Sequence, residues 1–285
     1  MEKLILTKND IDSLISKNIR NLARNRGGYG VVIPYNKEYG LKFRIDVFNN
    51  KSFDHDKFME DNKDYRILEA QIAYLSSLQS KIKLTELPKG VAYYENKPIA
   101  VILKYFYHHK NLYDLYYENN SILYKIMTDI ITSMDELMKN GIYQLDAKGS
   151  NFLYSAINYK LEPIDLDGKL VHITRHPTSM NINLEERVYE DLFDIFETLI
   201  HEKLIYHLNT NHISNNEFQD KLESLKYLRR SIGGIYVKES AEGYLSEIQK
   251  SKIMEFKKKY IDICIFLVYN KNGGKKWQKY ILQKK

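Results

Sequence analysis

The chain has 285 residues, 44% hydrophobic and 28% charged, a composition that excludes large-scale disorder and supplies enough apolar material for a core; at this length one core tends to divide, so two lobes are expected. The net charge of +6 is compatible with phosphate binding but too diffuse to argue for a nucleic-acid partner, and the single cysteine, Cys264, excludes a disulfide framework or a multi-cysteine metal site. No stretch approaches the roughly 18 apolar residues of a spanning helix, and the first ten residues lack the apolar run of a signal peptide. The expectation is a soluble, cytoplasmic protein without a transmembrane segment, with signal-independent export left open.

In chain order, Asn9 or Asp10 is placed to cap a helix whose apolar stripe runs through Ile11, Leu14, Ile15 and Ile19. Two β-rich segments follow, over 26–34 and 39–45, with Gly27, Gly28 and Gly30 at the first turn. Glycines there let backbone amides approach a phosphate, although Gly28-Tyr29-Gly30 alone fits an ordinary turn equally well. Lys42 lies on the second strand, with Leu41 and Phe43 directed to the opposite face. Residues 49–62 are polar and aperiodic and read as a loop. From Tyr65 a helical pattern begins, with Leu68, Ile72 and Leu75 on one face and Glu69 beside them, close enough in principle to pair with Lys42. Strands over 84–94 and 99–107 flank a turn at 95–98 and complete a small antiparallel sheet.

Near residue 106 the pattern changes from strands to helices, which sets an expected boundary between a domain over 1–106 and one over 107–285. Helices are predicted at 111–117 and 121–140. His108 and His109 point differently and have no partners at ligand spacing, so they read as surface residues. Residues 168–184 look irregular; helices follow at 186–202, 216–229 and 241–268, and a basic, aromatic tail ends the chain.

The chemistry concentrates in Gly141-Ile142-Tyr143-Gln144-Leu145-Asp146-Ala147-Lys148-Gly149-Ser150-Asn151, followed after a predicted hairpin by Ile164-Asp165-Leu166-Asp167-Gly168. Phosphoryl transfer asks for a carboxylate at the attacking hydroxyl, a cation near the transferring group and oxygen ligands for magnesium. Asp146, Lys148 and Asn151 offer these in turn, and the second acidic run lies after the hairpin.

In their order and intervals, the glycine hairpin, strand lysine, helix glutamate, Asp-x-Lys-x-x-Asn and Ile-Asp-Leu-Asp resemble the protein-kinase superfamily over roughly residues 26 to 200. The resemblance implies an α+β, two-lobed kinase-like fold with a small antiparallel-sheet lobe and a helical lobe. It also implies that Gly28 and Gly30 cover the phosphates of ATP, Lys42 binds the α and β phosphates, and Glu69 orients Lys42. Leu103 to Phe106, including Tyr105, would lie beside the adenine. Asp146 would be the catalytic base and Lys148 would steady the γ-phosphate. Asn151 and Asp165 would ligate Mg2+, with a part for Asp167 undecided. Asp191 would brace the catalytic loop.

The departures have consequences of their own. Gln144-Leu145 stands where the family usually has His-Arg, so there is no obvious receptor for a phosphorylated activation loop. Leu166-Asp167 replaces Phe-Gly, which is more reminiscent of small-molecule and lipopolysaccharide kinases, whereas Lys148 follows the serine/threonine protein-kinase pattern. Three readings follow in order of preference: a serine/threonine kinase-like enzyme acting on a protein, a kinase of a sugar, lipopolysaccharide or antibiotic hydroxyl, and a pseudokinase interaction module.

Overall fold

Two compact units organise the chain: Met1–His109 together with Glu162–His172, and Lys110–Leu161 together with Ile173–Lys285. The computed structural model describes residues 1–18, 30–49, 52–59, 67–168, 171–174 and 182–226. Gly28, Cys264, the helix predicted at 241–268 and the basic tail lie outside the described residues. The architecture is mixed α+β. The sequence boundary at 106 falls close to His109, but the acidic segment Glu162–His172 belongs with the first unit rather than with the residues that precede it.

The first unit is built on a five-stranded sheet. Its strands are β1 (Glu2–Ile5), β2 (Gly30–Pro34), β3 (Tyr39–Arg44), β6 (Gly90–Tyr94) and β7 (Lys97–Lys104), in the order β1-β6-β7-β3-β2. A short hairpin of β4 (Phe48–Asn49) and β5 (Ser52–Phe53) stands apart from them. All neighbours are antiparallel except β1, which runs parallel to β6 with Glu2 opposite Gly90. The sequence reading missed β1, because four residues of mixed polarity carry no alternation of their own. Gly90 is required by this pairing: a Cβ there would stand 2.0 Å from the Glu2 carbonyl oxygen.

Alternation gives the sheet two different faces. Val31, Ile33, Leu41, Phe43, Ala100 and Ile102 point to one side, and helix α1 (Lys8–Lys17) closes that core with Ile11 and Ile15. The cap of α1 is Thr7, which forms a capping box with Asp10, rather than Asn9 or Asp10 themselves. Residues 49–62 were expected to be a loop. They instead contain the end of the hairpin and the short helix α2 (His55–Met59), held by the packing of Phe53 and Phe58 into the same core. On the opposite face, Val91 and Val101 pack with Ile72 of helix α3 (Glu69–Leu78), with Leu103 and Tyr93 alongside.

In the second unit, the helix expected at 111–117 is a 3-10 helix over Leu112–Tyr117. Helix α4 (Asn120–Lys139) buries Leu123, Ile126, Met127, Ile130, Met134 and Leu137, the stripe its spacing predicts. Gly141, at φ +76°, turns the chain into the short strand Ile142–Gln144. Its left-handed backbone and tight surroundings both call for glycine, since a Cβ would meet the Thr174 carbonyl oxygen at 2.2 Å. Helix α5 (Ile182–Asn209) extends well beyond the predicted 186–202 and buries Val188, Leu192, Phe196 and Leu199; residues 215–226 form another helix. Val171–Ile173, most of which belongs to the first unit, is a strand within the segment expected to be irregular. No helix among the described residues is long and apolar enough to cross a membrane.

Candidate functional site

Lys42 owes its position to strand alternation: Leu41 and Phe43 are buried in the core, so Lys42 points to the other face, opposite Val32 on β2 and Val101 on β7. Its stem passes beneath Gly30, where a Cβ would come within 3.2 Å of Lys42 Cε and 3.0 Å of the Phe43 carbonyl oxygen. Gly30 therefore keeps room for the lysine.

Residues 164–168 bring the acidic groups to this face. Leu166 is buried at 2% exposure, and the aspartates on either side of it both turn to Lys42. The ammonium donates to Asp165 Oδ1 and, at 2.9 Å, to Asp167 Oδ1. Asp165 has a left-handed backbone, φ +66°, a conformation that costs a residue with a Cβ about 1 kcal/mol and that aspartate tolerates better than most. Burial alone would lower the Lys42 pKa, but the charges of Asp167 and Asp165 outweigh it and hold the amine well above its ordinary value. The lysine is thus a permanent cation.

Glu69 does not serve this lysine. No ion pair joins it to Lys42 among the described residues; its carboxylate instead accepts the Tyr93 hydroxyl, whose pKa is pushed up to about 12 by desolvation first and then by Glu69. The reason is lateral distance. Tyr93 lies on β6, separated from Lys42 by β7, and two strand spacings amount to roughly 10 Å. From the same helix it is Gln71 that reaches the acidic segment, donating from Nε2 to the Gly168 carbonyl oxygen at 3.3 Å. The sequence reading missed Gln71, and only its place one turn before the apolar Leu75 hinted at an inward direction.

Leu103 packs partly buried against Ile72, Val91 and Val101, on the Lys42 face. The Tyr105 ring lies over Gly40, 2.8 Å from the point where a Cβ would stand, and Val32 Cγ1 is 3.1 Å from that point. The Tyr105 N–H donates to the Glu38 carbonyl oxygen at 2.8 Å. Lys42 and its two carboxylates thus share a face with an apolar and aromatic surface.

The second unit carries the other predicted residues on a pinned backbone. Asn151, buried at 5%, donates from Nδ2 to the Asp146 carbonyl oxygen at 2.7 Å, and its own N–H donates to the Lys148 carbonyl oxygen at 2.8 Å. That orientation leaves Oδ1 as the acceptor end of the amide. Asp191 on α5 accepts the Ala147 N–H, and burial raises its pKa even though this bond and Arg187 act to lower it. Gly149 fits under Tyr113, whose Cζ would lie 2.7 Å from an added Cβ. With the backbone fixed, the Asp146 and Lys148 side chains project outward, 37% and 50% exposed, joined by a bond of 2.7 Å from Lys148 Nζ to Asp146 Oδ2.

No protein-family profile matches the chain, and no curated protein matches it. The site must be judged on its own chemistry. A carboxylate pair joined to a buried cation, beside an apolar and aromatic surface, suits a ligand with phosphates at one end and a flat ring at the other. Magnesium is usually held by one or two carboxylates together with substrate phosphates and water, so Asp165 and Asp167 offer enough oxygen for it without a cage of protein ligands. Among the described residues no group of three or more His, Cys, Asp or Glu forms such a cage.

Proposed function

We propose that the protein is an ATP-dependent phosphotransferase that delivers the γ-phosphate of ATP to the hydroxyl of a serine or threonine in a protein. The observation that carries this reading is the meeting of Lys42 with Asp165 and Asp167, residues 123 and 125 positions away in the chain. Holding a largely buried cation against one buried and one half-exposed carboxylate is seldom needed for stability, since apolar residues of similar volume often serve at least as well. Lys42 would take the α and β phosphates, and Leu103 and Tyr105 would receive the base.

Asp146 accepts the proton of the attacking hydroxyl, and Lys148 offsets charge on the transferred group. Asp165 would offer an oxygen to magnesium, which when bound neutralises phosphate charge. Asp191 holds the backbone of the Asp146 turn through Ala147. On this reading the α+β chain is a kinase-like enzyme, and the first unit handles the nucleotide.

A second acceptor class has an observation in its favour. The Tyr113 ring is 45% exposed and rests on Gly149, one residue from Lys148, and a flat aromatic surface there suits stacking of a sugar or another ring-bearing hydroxyl compound. Incubation of the protein with γ-labelled ATP, a cell lysate and a panel of sugars and aminoglycosides separates the two. Label in protein bands supports the first reading, and label in a small molecule moves the acceptor to the second. No label in either, with no rise in melting temperature on adding Mg-ATP, overturns the enzyme and leaves an interaction module.

A further inference from the structure

Lys203, on helix α5, is a lysine only 3% exposed that has no part in the transfer chemistry. Its Nζ donates to two backbone oxygens, at 2.9 Å to Tyr116 and at 2.5 Å to Glu118. Both lie at the end of the 3-10 helix Leu112–Tyr117, where carbonyls lack partners within the helix and attract a positive group. Burial pushes the Lys203 pKa below its ordinary value, with the Glu118 carboxylate opposing; charged or neutral, the amine keeps two N–H groups to give. The same Nζ stands 5.2 Å from the centre of the Tyr206 ring, which packs edge-on against Tyr116 and Tyr117.

Packing alone does not call for a lysine here, since an apolar side chain of similar size often fills such a place at least as well. What the lysine adds is direction. Two bonds to carbonyls two residues apart fix both the position and the rotation of the helix end, which non-directional apolar contact cannot do. At the start of the same six-residue helix the Asn111 side chain accepts the Tyr113 N–H at 3.0 Å, and the Tyr113 ring rests on Gly149. At about 2 Å per residue the helix is a short, stiff arm. Helix α5 thus reaches the 146–151 turn twice, directly through Asp191 and Ala147 and at second hand through Lys203 and Tyr113. We propose that Lys203 is a positioning residue for the acceptor side of the site: it holds the 3-10 helix so that the Tyr113 ring keeps its place on Gly149, next to Lys148 in the chain. The inference rests on reading Tyr113 as part of the surface that meets the acceptor.

Hydrogen exchange of backbone amides in the full chain tests the link. In a folded Lys203→Met protein, amides at 112–118 and at 147–151 should exchange at least about tenfold faster than in wild type, while those at 123–137 in helix α4 change by less than about twofold. Tyr113→Ala should speed 147–151 by itself, and adding Lys203→Met to it should speed that segment no further. Kinetics with the acceptor that takes label from γ-labelled ATP test the role. Lys203→Met should lower kcat/KM for that acceptor by about 10-fold to 100-fold with KM for ATP within about twofold, and the loss should vanish in the Tyr113→Ala background. Should Lys203→Met not fold, Lys203→Gln, which keeps a donor on a shorter side chain, takes its place with the same pattern expected. Wild-type protection at 147–151, exchange that quickens equally in helix α4, or losses that multiply in the double variant overturn the proposal. Wild type that labels no acceptor removes the phosphotransferase reading and the acceptor role with it, whereas the exchange rates still decide whether Lys203 holds the turn.

Discussion

The two lysine–aspartate contacts use the same residue types and have opposite characters. Lys42 is 17% exposed and engages a carboxylate that is 7% exposed, on a sheet face bordered by Val32, Val101 and Leu103. Lys148 and Asp146 are 50% and 37% exposed and sit two residues apart on a turn. Burial makes the first contact strong and hard to rearrange, while solvent leaves the second worth little and easily exchanged. A nucleotide anchor benefits from the first property. A base that must accept a proton from an incoming hydroxyl needs the second.

The exposed contact carries the greatest expected loss, at Asp146. Asp146→Ala should lower phosphate transfer by about 10² to 10⁴, the usual range for a general base, with an unchanged melting temperature. Near-normal turnover would remove Asp146 from the mechanism. Lys42→Met should act on stability as well as on nucleotide binding. Two carboxylates left without their cation should cost on the order of 3 kcal/mol in urea unfolding, reduced to the extent that Asp165 reaches water. A variant as stable as wild type would show that the Lys42 cluster is not the stronger contact.

Gly141→Ala should cost about 2 kcal/mol by forcing a Cβ onto a backbone at φ +76° and against the Thr174 carbonyl, and should reduce transfer by shifting the strand that leads to Asp146. Lys148→Met should change unfolding free energy by less than about 1 kcal/mol while still slowing transfer, which separates catalytic from structural use of a lysine.

The smallest effect concerns pH. Asp191 has a folded-state pKa above its unfolded value, so its contribution is fully present below the unfolded pKa and is lost as pH rises through the folded one. Asp191→Asn keeps an acceptor for the Ala147 N–H. Its stability relative to wild type should therefore rise as pH increases across the carboxylate range, and a flat difference would contradict the buried placement.

Legibility from sequence differed by element. Helix α4 was readable because apolar residues at helical spacing, from Leu123 to Leu137, settle its face whatever packs on it. Strands β2, β3, β6 and β7 were readable from alternation and turn residues. Strand β1 was not, since its stability comes from a partner almost ninety residues away, and neither was the short helix α2, which depends on Phe53 and Phe58 meeting a core built elsewhere. Among the candidate residues, Asp146, Lys148 and Asn151 stand out from residue type and spacing, whereas Lys42 and Asp165 stand out through the family resemblance. The partner of Glu69 was misjudged because helix spacing carries no information about which strand of a sheet lies beneath it.

The α+β character, the face of β3 on which Lys42 stands and the order of polar groups from Asp146 to Asp167 follow from periodicity and residue chemistry, which are local properties. Only the tertiary structure decided that Lys42 joins Asp165 and Asp167 rather than Glu69, that Gln71 faces the acidic segment, and that Asp191 holds the Ala147 N–H. These depend on strand order and on how deeply each carboxylate is buried, and distances between residues far apart in the chain are set by packing and not by spacing.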